Sequence, residues 1–153
     1  MGGKWGRLLT ADRIVVGLES GRKRDAIREL AGLLQGNAAI VDFKSLLTDL
    51  MRREEDGWTC IGKGVAIPHV HEDTIKTPCL AIGISRQGIE FGAPDGQPIQ
   101  LIALLVTPKK HQAQHLQLLA ALSRLVQVDE VRQRLVKAAD AAEVLEIFCG
   151  MNK

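Results

Sequence analysis

All four histidines of the chain fall into two pairs, His69 with His71 and His111 with His115. The first pair stands in "GVAIPHVHE" and the second in "HQAQH". A His-x-His spacing in extended chain puts both rings on one face, and a spacing of four does the same on a helix. If the helix carrying the second pair packs beside the first, three kinds of chemistry fit. One is a metal site, Zn²⁺ or Cu²⁺ held by His69, His71, His111 and His115. Against it, the helical pair lacks the Glu of H-E-x-x-H, and only the neighbouring Glu72 and Asp73 offer carboxylates. A second is plain structure: a histidine after Pro68 bonds a backbone carbonyl, and His111, after "TPKK", sits on a solvated first helical turn. The third is nucleophilic phosphoryl transfer. A neutral imidazole with one nitrogen held by a backbone acceptor presents a lone pair on the other, and it is a good nucleophile near pH 7. A phosphoryl group then needs positive charge and donors around its oxygens. Arg52 and Arg53, with an N–H of His115, could supply them. The plainer role of the Arg pair is favourable charge at a helix C-terminus.

The elements that must carry these residues are legible as periodicities. "RIVVGL" reads as a strand. Ala26, Ile27, Leu30, Leu33 and Leu34 form a helical stripe stopped by Gly36 and Asn37. "VDFKSLLTDLMRREEDG" reads as a second helix, capped by Asp42, with Phe43, Leu46, Leu47 and Leu50 inward. "GVAIPH" and "CLAIGIS" read as strands, and "RQG" as a turn into "IEF". "PIQLIALLV" has few polar alternations, so it is expected to be covered on both faces. "HQAQHLQLLAALSRLV", "DEVRQRLVKAA" and "DAAEVLEIF" read as helices. Helices bracket a block of strands, which predicts an α/β single domain, a mixed central sheet flanked by helices on both faces. Residues 1–7 are read as an N-terminal tail and 8–150 as the domain.

Composition narrows the partners. Of 153 residues, 46% are hydrophobic and 25% charged, which suits one domain with a sizeable core. A net charge of +2 is too balanced for nucleic-acid binding by bulk charge. Two Trp, three Phe and no Tyr make a base-stacking platform a poor fit. No apolar run is long enough to span a bilayer, and "MGGKWGRLLT" lacks the apolar stretch of a signal peptide. Cys60, Cys79 and Cys149 are expected to be free thiols in a reducing cytoplasm.

Taken together, the motifs resemble the type 2 (fructose/mannitol, including nitrogen-regulatory) enzyme IIA domain of the bacterial phosphoenolpyruvate-dependent phosphotransferase system. The resemblance runs from about Leu8 to Phe148. It rests on Arg53-Glu54 at a helix end and Thr59 in the loop after it. It also rests on Gly64, Ala66, Ile67, Pro68 and His69, on Asp95-Gly96 before the apolar strand, and on His115-Leu116 opening a leucine-rich helix. Cys60 stands where Gly is common, and Val70-His71 where a small residue often follows the active histidine. The resemblance implies that His69 carries the phosphoryl group, with His115 and Arg53 beside it and Thr59 in support. His71 is expected to be a bystander in a solvent-facing or loop-bonding position. The implied protein is a cytoplasmic phosphocarrier without a cofactor; no G-x-x-x-x-G-K-[ST] loop for ATP is present. Its donor would be an HPr-like protein. Its acceptor would be an enzyme IIB cysteine in sugar uptake, or it would regulate a target protein, with the nitrogen-regulatory type favoured.

Overall fold

The computed structural model describes residues 3–56 and 59–150. Its axis is the most apolar stretch of the sequence, strand β6 (Ile99–Pro108), of which every residue but Gln100 is buried. Strand β5 (Cys79–Ile89) runs antiparallel along it, with Leu80 opposite Leu105 and Ile84 opposite Leu101. Strand β1 (Ile14–Val16) lies parallel to the far side of β5. On the other side, β3 (Val65–Ala66) and β4 (His69–Glu72) both pair parallel with β6, and β2 (Cys60–Gly62) pairs antiparallel with β3. The sheet is therefore mixed, in the order β1-β5-β6-β3-β2, with β4 also on β6.

Period-two alternation splits β6 between two cores. Leu101, Ala103 and Leu105 face a layer built from α1 (Gly3–Leu8), α4 (Gln112–Gln127), α5 (Asp129–Val136) and α6 (Ala141–Gly150). Ile102, Leu104 and Val106 face α2 (Lys23–Ala31) and α3 (Phe43–Asp56). Both faces are covered, as the unbroken apolar run requires.

Several expectations hold in detail. Asp42 caps α3, accepting the Ser45 N–H at 3.1 Å and the Ser45 hydroxyl at 2.9 Å. The three cysteines are free thiols; Cys79 is buried, and Cys60 and Cys149 are half-buried. Others change. "GVAIPH" is not one strand: Pro68 has no N–H to give the ladder, so β3 ends before it and β4 starts at His69. "RQG" is not a turn between strands. β5 runs through it with a shift of register between Ile84 and Ile89, stitched where the Gly88 N–H donates to the Ser85 hydroxyl at 3.2 Å. The stretch read as a tail holds α1, whose Trp5 is buried edge-on against Phe148 with ring centroids 5.8 Å apart. Gly57, the expected end of the second helix, and the first two residues of the expected tail lie outside the described residues.

Gly88 has φ +86°, and a Cβ there would stand 2.7 Å from Cβ of Pro98. Both left-handed strain and overpacking oppose a side chain. Gly88→Ala should cost about 1–3 kcal/mol in denaturant unfolding. Gly92→Ala, at φ +71° with open space around the Cβ position, should cost less. Equal costs would remove Pro98 from the account.

Candidate functional site

Strand β4 delivers the histidines by parity. Val70 points into the α2/α3 core and is fully buried. His69 and His71 therefore point to the opposite side, toward α4, while Glu72 follows Val70 toward α3. The strand is pinned to β6 with His69 opposite Leu105 and His71 opposite Thr107, and the Leu105 N–H donates to the Pro68 carbonyl at 3.0 Å.

The His69 ring is fixed by its own backbone. Its Nδ1 lies 2.7 Å from the Ile67 carbonyl. A carbonyl only accepts, so Nδ1 carries the proton and the neutral ring keeps its lone pair on Nε2.

His115 comes from α4, where it takes the first place in the buried stripe His115, Leu118, Ala121, Leu122 and Val126. An imidazole in an otherwise apolar stripe is the feature that marks it. Its centroid is 5.6 Å from that of His69. Its Nδ1 meets the hydroxyl of the fully buried Thr107 at 2.6 Å. Burial, and then the Coulombic effect of His71, His69 and Arg53, push its pKa down to about 4, so it stays neutral at pH 7.

His71 is neither solvent-facing nor bonded to the loop. Its ring is half-buried and stacks on His115, with centroids 4.7 Å apart and planes 19° apart. Its Nδ1 is buried without a hydrogen-bond partner, a cost of about 1–3 kcal/mol. His111 lies exposed at the N-cap of α4, on the solvated turn expected for it. The ring contacts thus join three histidines, not four. Among the described residues no three His, Cys, Asp or Glu side chains are arranged to hold a metal ion.

Charge reaches the site from the end of α3. Arg53 is half exposed and pairs with Asp49, Nε to Oδ2 at 3.5 Å, while Arg52 points outward and also pairs with Asp49. Glu54, next in sequence, turns inward and is buried. Thr59 donates its hydroxyl to Glu54 Oε1 at 3.0 Å, and its carbonyl accepts the Ile67 N–H at 2.8 Å. Thr59 thus ties Glu54 to the segment that leads into His69. Lys23 reaches the same carboxylate at 3.7 Å. Burial raises the Glu54 pKa, partly offset by Thr59, Lys23 and His69.

Two carboxyls complete the α3 side. Glu72 meets Asp49 in a hydrogen bond between carboxyl groups. Burial and this partner raise Glu72 to about 7. Accepting from Glu72 and from Arg52 lowers Asp49 to about 2. Thr107, Lys23, the inward turn of Glu54 and the Asp49–Glu72 pair went unread in the sequence. Thr107 only ends an apolar run, and "RREED" looks like an ordinary charged helix end.

The profile of the family "Phosphoenolpyruvate-dependent sugar phosphotransferase system, EIIA 2" matches residues 7–150. A nitrogen regulatory protein of Pseudomonas aeruginosa is 30% identical over 95% of this chain and 95% of its own. A fructose-specific EIIA component of Haloferax volcanii is 33% identical over 82% of each. The chain also matches a fructose-specific EIIABC component of Bacillus subtilis at 30% identity, but spans only 23% of its length. The crystal structure of the nitrogen regulatory protein IIA-Ntr from Neisseria meningitidis superposes with a TM-score of 0.86 at 31% identity, covering 94% of this chain and 97% of that one. The fold of IIA mannitol from Escherichia coli is shared at a TM-score of 0.78 and 22% identity, over 92% of this chain and 98% of that one.

The carboxyl pair makes stability depend on pH. Glu72 holds a proton in the folded protein up to about pH 7, whereas the unfolded chain releases it near 4.5. The folded state binds more protons between those values, so this contribution falls as pH rises through them. Glu72→Gln donates to Asp49 at every pH. Its melting temperature relative to wild type should rise from pH 5 to pH 8, as read by thermal unfolding. A constant difference across that range would mean that Glu72 is already ionised at pH 5.

Proposed function

The chain belongs to the EIIA 2 family of the phosphoenolpyruvate-dependent sugar phosphotransferase system, and from that premise we propose that it carries its phosphoryl group on Nε2 of His69. The observation that carries this reading is the 2.7 Å contact of His69 Nδ1 with the Ile67 carbonyl, which leaves the nucleophilic lone pair on Nε2. The Nε2 lone pair forms a bond to phosphorus as the nitrogen–phosphorus bond of a donor phosphohistidine breaks. The electron pair of that bond returns to the donor ring. The ring of His69 gains positive charge on forming the bond, and the Ile67 carbonyl stabilises it at Nδ1.

Neutral His115 suits donation of an uncharged N–H to a phosphoryl oxygen, with the Thr107 hydroxyl donating to its Nδ1 so that the proton rests on Nε2. Arg53 supplies the positive charge, and its half-exposed fork suits phosphate oxygens. Thr59 supports the site through Glu54. The donor is an HPr-like phosphocarrier, and the work is done in the cytoplasm. No helix among the described residues is long and apolar enough to cross a membrane.

For the acceptor, the regulatory role is favoured. Its support is the end-to-end match to a nitrogen regulatory protein and the TM-score of 0.86 to IIA-Ntr. The Haloferax relative supports the other role, transfer to an enzyme IIB cysteine in fructose or mannitol uptake. IIA mannitol of Escherichia coli has been solved in complex with phosphorylated enzyme IIB, in the same fold. Transfer assays to candidate IIB cysteines separate the two roles.

Incubation with a phosphorylated HPr-like protein should add one phosphoryl group, lost in acid and kept in base. His69→Ala should accept none; labelling of that variant at the normal rate would remove His69 from its role. Arg53→Ala should slow transfer about 10- to 100-fold, the loss of roughly 1.5–3 kcal/mol from a charge-assisted contact. Its stability should shift by about 1 kcal/mol or less, because the Asp49 pair is half exposed. The opposite pattern, normal transfer with lowered stability, would assign Arg53 to the helix end. His115→Ala should impair transfer, whereas His111→Ala should stay close to wild type. Equal losses at both would contradict the geometry.

A further inference from the structure

The role of His71 goes beyond the roles assigned above, though it rests on the reading of His69 as the phosphoryl carrier. We propose that His71 is a positioning residue: its ring, stacked on His115, fixes the plane in which His115 presents Nε2 to the phosphoryl group on His69. The argument starts from what holds the His115 ring. One polar contact is made, Nδ1 to the Thr107 hydroxyl at 2.6 Å. A single hydrogen bond fixes a point on a ring and leaves its plane free to rock about that point. The face of His71, 4.7 Å away and within 19° of parallel, removes that freedom.

The strand leaves no other residue of β4 able to do this. His69 is tilted 50° from His115 and is the group being served, and Val70 and Glu72 point to the opposite side of the sheet. The register sets the height. His71 lies opposite Thr107, the same residue that holds His115 from the other direction. Thr107 and His71 are thus paired neighbours across two strands, and together they clamp one imidazole by an atom and by a face. His71 also shields His115 from water. Burial does most to keep His115 neutral, and His71 and His69 from β4 and Arg53 from α3 add to its effect.

The chemistry asks for a flat side chain at position 71, not for an imidazole nitrogen, because Nδ1 of His71 makes no hydrogen bond. Three variants separate these needs. His71→Phe keeps a flat face, His71→Leu keeps apolar bulk without one, and His71→Ala keeps neither. Phosphorylation of His69 is followed with potassium phosphoramidate, a small donor whose N–P bond breaks as the His69 bond forms, releasing ammonia. This probe needs no protein partner. The His115 ring is followed separately by long-range ¹H–¹⁵N spectra of the unphosphorylated protein, titrated from pH 3 to pH 8.

Ala and Leu should slow phosphorylation about three- to tenfold, the range expected for loss of a stacked pair. Phe should recover most of the rate. In the spectra, the His115 midpoint should move up from about 4 in the Ala variant and less in Phe, which loses the Coulombic effect of His71 but keeps its cover. A wild-type rate in both Ala and Leu, or a Phe variant as slow as Ala, would overturn the proposal. So would a His115 midpoint as high in Phe as in Ala. The difference between the Ala and Phe midpoints reports on the cover that position 71 gives His115, whether or not any variant accepts a phosphoryl group. Normal labelling of His69→Ala would sink the carrier assignment alone, so the two failures are distinguishable.

Discussion

Seating β4 on β6 is the constraint on which the site depends. The pairs His69–Leu105, Val70–Val106, His71–Thr107 and Glu72–Pro108 set which face each side chain meets. Val70 is fully buried against α2 and α3, which fixes the parity. A slip of one residue would drive two imidazoles into an apolar core and push Val70 toward α4. Pro68 makes this register possible. It cannot donate, so β3 stops, and its carbonyl then accepts the Leu105 N–H to restart the pairing at His69. The same interruption leaves the Ile67 carbonyl free to hold His69 Nδ1. One proline thus prepares both the position and the tautomer of the ring after it.

Electrostatics divide between the two sides of the sheet. Toward α4 the groups are imidazoles, with His115 held neutral by burial and by the Coulombic effect of His71, His69 and Arg53. Toward α3 the groups are ionic. Two guanidinium groups, Arg52 and Arg53, share one ionised carboxylate, Asp49, whose partner Glu72 keeps its proton up to about pH 7. These four groups therefore keep an excess of positive charge up to about pH 7, on arginine side chains that stay about half exposed or more. A doubly charged phosphoryl group would compete for Arg53 against a single carboxylate at the protein surface, where such pairs are weak. A buried Arg pair would hold its carboxylate too tightly to be displaced.

Much of this was legible in the sequence because it follows from period and punctuation. The unbroken apolar run of β6 announced a strand covered on both sides. The Asp42 cap, the Phe43–Leu50 stripe and the leucines after His115 announced α3 and α4 with their inward faces. What stayed hidden depends on packing between distant segments. β4 went unread as a strand of its own because Pro68 and a charged run flank it, and only β6 supplies its partner. "RQG" looked like a hairpin turn, yet Gly88 serves close passage beside Pro98 within a longer strand. His71 reads as a surface residue until Thr107 and α4 close over it. No spacing rule links position 71 to position 107.

The site is also one place where the fold gives up stability. Among the described residues, three side-chain atoms are buried without hydrogen-bond partners: Arg13 Nε just before β1, and, at the site, Glu54 Oε2 and His71 Nδ1. Each such atom costs about 1–3 kcal/mol, a large part of the roughly 5–15 kcal/mol that separates folded from unfolded states. Apolar side chains of similar volume would avoid that cost. Two apolar cores, one on each face of β6, carry it instead. Local disagreement between composition and burial is expected where a residue serves chemistry before packing. The last two atoms lie on residues tied to the same few angstroms of structure: Glu54 through Thr59 to the segment before His69, and His71 through its stack to His115. These two penalties fall on one side chain from α3 and one from β4, the two elements that converge on the end of the sheet where Nε2 of His69 is presented.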